Sequence, residues 1–350
     1  MAFRLSRALF TLSAVPLACA LFTLTSSNAH AANCGPINER MDRILNHVNF
    51  GMVVLAHRGR WGNVDGKPIP ENSLSAMYWA NEKCNDGVEF DIKMTSDGVP
   101  ILMHDYNLGR TTNVWTVLRG GSKYDPITNR GSNPSVASIP YANIRDLRLL
   151  SPDRSWVMED IKLPSLNDLF DAVQRYGFTT PMVFDVKDGP AVAAVAQRAR
   201  IAFGPESHHY VAVKVNATLF PDPAQFTYGN ITAIPVYTTN MLSQINVEQS
   251  LDKWIRQYGA RTVEINVKQS NGLLSREKRF AQVLGAKIGV FQALPDGPRP
   301  NEFYNNTGSC CYKLSDMFSS FGNQRDTDDR RGSMNFIKGE GFGLVTTDQP

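Results

Sequence analysis

Residues 88–94 read Val-Glu-Phe-Asp-Ile-Lys-Met, and their alternation decides the fold. Successive side chains of an extended strand point to opposite faces, so Val88, Phe90 and Ile92 share one side while Glu89, Asp91 and Lys93 share the other. The pattern returns where Phe184 and Val186 oppose Asp185 and Lys187. It returns again where Val263, Ile265 and Val267 oppose Glu264, Asn266 and Lys268. Charged side chains lose several kcal/mol of hydration on burial unless they pair, hold an ion or sit at an open mouth. Three strands with one charged face each therefore predict a shared polar site.

Working outward, apolar runs bounded by turn residues predict strands at 52–57, 88–94, 181–187, 209–215, 231–238, 261–267, 287–293 and 342–347. Helical patterns fall between them at Ser73–Cys84, Ser165–Tyr176, Ala191–Phe203, Val247–Tyr258 and Ser275–Leu284. Eight strands alternating with helices are the order of repeated βα units, which close as a (β/α)8 TIM barrel. Two segments stand outside that cycle, at about 106–164 and 295–341, and are expected to be long loop insertions. The charge cluster Arg325–Arg331 in the second reads as a solvated loop.

Arg4 and Arg7, the apolar run Leu9–Leu24 and then Ala29-His30-Ala31 have the order of a secretory signal peptide. The expectation is cleavage near Ala31, a secreted or periplasmic protein without a stable membrane anchor, and one domain over residues 32–350. Pro16 argues against lipidation at Cys19. The chain has 36 Lys and Arg against 33 Asp and Glu, and residues 1–31 hold two of the basic ones and no acid. That balance gives no basic footprint for nucleic acid, so the expected partner is a small molecule. Cys34, Cys84, Cys310 and Cys311 remain, an even number in an exported chain. Cys34 with Cys84 is the preferred pair, on the N-terminal side of the barrel. Cys310 and Cys311 either bridge each other or stay free.

The strings AHRGRWG (56–62), PENSLSAMYWANEKC (70–84) and GVEFDIKMTSDGVPILMHDYNLGRTTN (87–113) resemble the signature region of the glycerophosphodiester phosphodiesterase family. The rest agrees through LPSL at 163–166, FDVK at 184–187 and the closing LVTTDQP. The resemblance implies metal-dependent hydrolysis of a glycerophosphodiester to sn-glycerol 3-phosphate and an alcohol. Such chemistry needs neutralised phosphate oxygens, a proton acceptor for the nucleophile and a donor for the leaving alkoxide. His57 and His104, expected at the C-terminal mouth of the barrel, suit the last two tasks, since imidazole titrates near neutrality. His47, His208 and His209 read as structural residues. Arg58 is expected to contact phosphate by its two-pronged guanidinium, the alternative being a salt bridge at the barrel mouth, and Lys187 is expected to neutralise a second oxygen.

Glu89 and Asp91 project in one direction and can hold one divalent cation, calcium or magnesium, both hard ions that take oxygen ligands. The family resemblance assigns this pair to metal and places a third carboxylate on the next strand, usually Glu; here it is Asp185. Glu71 and Asn72 are expected to orient that ligand shell. Glu264 is either another site carboxylate or the partner of a nearby lysine.

Two other readings stand beside this one. The aspartate at 185 also resembles phospholipases of the sphingomyelinase D type, whose substrates are sphingomyelin and lysophospholipids. A catalytically silent binding relative is the second, although His57, Arg58, Glu89, Asp91 and His104 are all present.

Overall fold

The computed structural model describes residues 32, 34–46, 51–118 and 121–350. The signal-peptide segment 1–31, Cys19 within it, and His47 lie outside the described residues. Eight parallel strands run β1 Val53–His57, β2 Gly87–Met94, β3 Met182–Val186, β4 Val211–Asn216, β5 Thr232–Tyr237, β6 Thr262–Ile265, β7 Lys287–Phe291 and β8 Leu344–Thr347. Each pairs with the next in parallel, and β1 pairs with both β8 and β2, so the sheet closes on itself as a (β/α)8 barrel. The described residues form a single compact unit. No described helix is long and apolar enough to cross a membrane.

The period-two alternation sorts every strand into two environments. Outward residues such as Val88, Phe90, Ile92, Phe184, Val213, Val263 and Val290 pack on the helices as one apolar layer. Those helices are α2 Leu74–Glu82, α3 Leu166–Tyr176, α4 Gly189–Phe203, α5 Val247–Arg256, α6 Ser275–Val283 and α7 Met334–Gly339. Local chemistry starts them: the Ser73 and Asp188 side chains cap α2 and α4, and Ser165 with Asp168 forms a reciprocal capping box at α3. Inward residues Val53, Leu55, Val183, Ala212, Ile234 and Leu344 fill the N-terminal half of the interior. There they meet Met41, Ile44 and Leu45 of α1 Ile37–Leu45, which plugs the barrel floor. Fully burying a side chain of this size is worth about 1.5–3 kcal/mol. The fit is close at Gly87, where an added Cβ would come 2.7 Å from Ile44 Cδ1 and 2.8 Å from Leu55 Cδ2.

Three expectations need correction. The fourth strand begins at Val211 rather than 209, because Ser207–Tyr210 makes a helical turn that takes His208 and His209 out of the sheet. The segment 295–341 is not wholly an insertion, since α7, capped by Ser333, closes it and restores the barrel cycle. The cluster Arg325–Arg331 is solvated only in part: Arg325, Thr327, Asp328 and Arg330 are exposed, but Asp326 is fully buried and Arg331 nearly so, its guanidinium held by Asp329 at 2.6 and 2.9 Å.

The other insertion, 106–164, builds a nucleus of its own from Leu108, Val114, Val136, Ile144, Leu147, Leu149 and Leu163, packed on Ile101 and Met103. The two insertions are tied together by Tyr106 N–H donating to Asn306 O (2.6 Å) and Cys310 N–H to Pro126 O (2.8 Å). Both disulfides are present, Cys34–Cys84 linking the N-terminal segment to the end of α2, and Cys310–Cys311 between neighbours.

Candidate active site

A cavity of about 280 Å³ opens at the C-terminal ends of the strands, the face where barrels of this type carry their chemistry. His57, Arg58, Glu89, Asp91, His104, Asp185, Lys187 and Glu264 all line it. Glu71 and Asn72 stand behind, both buried.

His57 ends β1 with its ring inward. Its Nδ1 lies 2.8 Å from Asp348 Oδ1, and Trp61 Nε1–H donates to the same oxygen at 2.9 Å. An ionised carboxylate only accepts, so Nδ1 carries the proton and Nε2 faces Glu89, 3.9 Å away. Burial opposes a charge on this ring, but the Asp348 carboxylate and its hydrogen bond outweigh that and hold the imidazolium above the ordinary histidine range. His104 follows the short strand Pro100–Leu102, which folds back antiparallel on the end of β2. It too has a carboxylate behind Nδ1, Asp105 Oδ1 at 2.8 Å. Arg110 grips that aspartate with two prongs, and its guanidinium outweighs the cost of burial to hold Asp105 down at about 2.

Arg58 and Asn72 both adopt left-handed backbone, φ 57° and 50°. The turn places Asn72 so that its amide donates to Asp91 Oδ2 (3.2 Å) while its oxygen accepts from Asp91 N–H (3.1 Å). Gly59 between them has φ 79°, and a Cβ there would sit 2.7 Å from that of Ala76. The Arg58 guanidinium touches Glu71 (3.2 Å) and faces Asp296 (3.6 Å) and Asp91 (3.7 Å). Its buried Nε–H has no hydrogen-bond partner among the described residues. Glu71 is engaged by three guanidiniums, those of Arg154, Arg58 and Arg110, which overcome its burial and keep it well below the carboxylate range.

His57, Glu89 and Asp91 form a cluster whose ligand atoms all lie within 4.8 Å of one another. Burial and the charge of Asp91 push Glu89 up to about 7, whereas the His104, Lys93 and Arg58 charges overcome burial and hold Asp91 low. Two converging buried carboxylates, one of them made reluctant to ionise by the other, are a donor set that a hard divalent cation fits. Asp185 stands beside Asp91 in register, but its carboxylate is taken by Lys187 Nζ at 2.5 Å and it is not part of that cluster. Glu264 is the partner of a lysine: Lys214 Nζ lies 2.7 Å away and also donates to Thr346 Oγ1.

Asp348, Asp105 and Arg110 were not singled out from sequence, although each lies inside a quoted string. A carboxylate directly after His104 was the available signal. Lys214 and Asp296 also line the cavity with no local pattern to mark them, as does Arg331, which the sequence marks only as the end of a charge cluster.

Residues 57–194 match the model of the glycerophosphoryl diester phosphodiesterase family. Mouse glycerophosphodiester phosphodiesterase 1 is 36% identical over 143 residues, 41% of this chain and 36% of the mouse protein. A glycerophosphodiester phosphodiesterase of Caldanaerobacter subterraneus is 43% identical over 61 residues, 17% of this chain and 23% of that one. The chain thus spans well under half the length of these curated relatives. Among solved structures, a glycerophosphoryl diester phosphodiesterase from Parabacteroides distasonis superposes with TM-score 0.57 at 17% identity, covering 90% of this chain and 89% of that one. A phosphodiesterase from Oleispira antarctica, in complex with the product sn-glycerol-3-phosphate, gives 0.55 at 16% identity, with 86% and 94% covered. The matched segment carries both histidines and the Glu89–Asp91 pair, on a barrel fold those structures share, and over that segment the chain is similar to the glycerophosphoryl diester phosphodiesterase family.

Proposed function

We propose that this protein hydrolyses a glycerophosphodiester to sn-glycerol 3-phosphate and an alcohol. The observation that carries the reading is the pair of histidines, each with a carboxylate 2.8 Å behind Nδ1, lining one cavity with Arg58 and the Glu89–Asp91 pair. With Nδ1 committed to its carboxylate, each ring has Nε2 free to give or take a proton. One accepts the proton of the attacking hydroxyl and the other protonates the leaving alkoxide; water attack gives glycerol 3-phosphate directly, whereas attack by the glycerol 2-hydroxyl gives a cyclic phosphate that a water then opens, the two rings exchanging roles. The unpartnered Nε–H of Arg58 donates to a nonbridging phosphate oxygen, a stronger bond in a water-poor site than in solvent. Lys187, held by Asp185, supplies a second positive charge on the same wall.

Glu89 and Asp91 would hold one calcium or magnesium ion, with Asp185 in reach once Lys187 turns to the phosphate. Such an ion draws negative charge off a phosphate oxygen. Activity outside the cytoplasm is supported by the Cys34–Cys84 bridge, since disulfides persist in oxidising compartments.

The test is product analysis with purified protein on glycerophosphocholine and on lysophosphatidylcholine, with and without chelator. Glycerol 3-phosphate and choline from the first substrate, abolished by chelator, support the reading. Cleavage of the lysophospholipid alone would move the protein to the phospholipase class, and binding without turnover in any divalent ion would make it a silent relative.

A further inference from the structure

The two histidines are backed differently. Asp348, behind His57, takes the neutral N–H of Trp61. Asp105, behind His104, is fully buried and clasped by Arg110, Nε to Oδ2 at 2.6 Å and Nη2 to Oδ1 at 2.9 Å. The same Nη2 reaches Glu71 Oε1 at 3.3 Å, and the other Glu71 oxygen takes Arg58 Nη1 at 3.2 Å. A continuous chain therefore runs from the half-buried His104 through the buried Asp105, Arg110 and Glu71 to the Arg58 guanidinium that lines the same cavity. It is closed from above: the Tyr304 ring lies 5.0 Å from the Arg110 guanidinium, and at Gly308 a Cβ would come 2.7 Å from Asp105 Oδ2.

Stability alone does not account for this arrangement. Buried ion pairs recover little more than their desolvation cost, and apolar residues of similar volume often serve the fold as well. A fork does what apolar packing does not: two parallel hydrogen bonds fix the carboxylate plane, and with it the direction in which His104 presents Nε2.

We propose that Arg110 is a positioning residue of the reaction, acting through Asp105 on His104 and through Glu71 on Arg58. The proposal rests on the reading that His104 moves a proton. Arg110 sets the ring's tautomer and aim, and keeps proton transfer and phosphate contact in fixed relation.

Two variants test it. Arg110→Lys keeps the charge and loses one prong. The double variant Arg110→Met with Asp105→Asn removes both charges together, so no buried charge is left unpaired. For each, kcat and KM for glycerol 3-phosphate release from glycerophosphocholine are read beside the His104 imidazole ¹⁵N shifts and the melting midpoint. The expected result is a kcat lower by about tenfold to a hundredfold, the range in which residues supporting a functional group act, with KM within about threefold. The His104 ring then samples both tautomers instead of Nδ1–H alone. Wild-type kcat with a single His104 tautomer in both folded variants would overturn the proposal, as would a loss of kcat no larger than the fraction unfolded. If the wild-type protein released no glycerol 3-phosphate, the hydrolase reading would fall, while the ¹⁵N spectra of the variants would still decide whether Arg110 holds His104.

Discussion

The barrel has two interiors built on the same strands. Leu55, Val183, Ala212 and Leu344 sit two residues before His57, Asp185, Lys214 and Thr346, on the same inward faces. Below, apolar side chains meet the plug of α1 and gain free energy by leaving water. Above, a ring of ionisable groups gives up hydration and recovers it by pairing, as in Lys214–Glu264 and His57–Asp348. Two residues along each strand thus separate side chains that hold the fold from side chains that line the candidate site. His57, Lys214 and Thr346 are as buried as the apolar residues below them, so burial alone does not tell the halves apart; chemistry does.

Three perturbations sharpen that contrast, from the largest expected effect to the smallest. Leu55→Ala opens a cavity in the lower half, and thermal or denaturant unfolding should show a loss of about 2–5 kcal/mol, while kcat of the folded fraction stays near wild type. Asp348→Asn acts in the upper half and should do the reverse. The melting midpoint should move little, and kcat should fall about a hundredfold or more as the His57 tautomer and its charge stabilisation are lost.

Acidification should weaken cation binding. Glu89 in the cation-free protein carries its proton until about pH 7, so below that pH the cation must displace a proton. Calorimetric affinity should then fall by up to about tenfold per pH unit below 7 and level off above it. A flat profile from pH 6 to 8 would contradict either the raised Glu89 carboxyl or its place as a ligand.

Much of this was legible in the chain. The alternation of Glu89 and Asp91 against Phe90 and Ile92 reflects the strict two-residue period of a strand, which needs no tertiary information. His57 and His104 were readable because each sits in a long string. The partners were harder, because a carboxylate's role depends on what folds against it. Asp348 meets His57 from 291 positions away, and Arg331 meets Asn266 from 65. Asp185 and Lys187 illustrate a related limit: both were expected in the site and both are there, but in the described structure each occupies the other. The helix α7 was hidden by its brevity, six residues inside a Gly- and Asp-rich segment.

The most direct measurement is the rate of glycerol 3-phosphate release from glycerophosphocholine by His104→Ala and His57→Ala, beside calorimetric calcium and magnesium binding and a melting curve. Loss of about a hundredfold to ten-thousandfold in kcat by each, with His104→Ala still folded and still binding the cation, is what two carboxylate-backed proton carriers predict. Near-normal turnover in either folded variant would contradict the account.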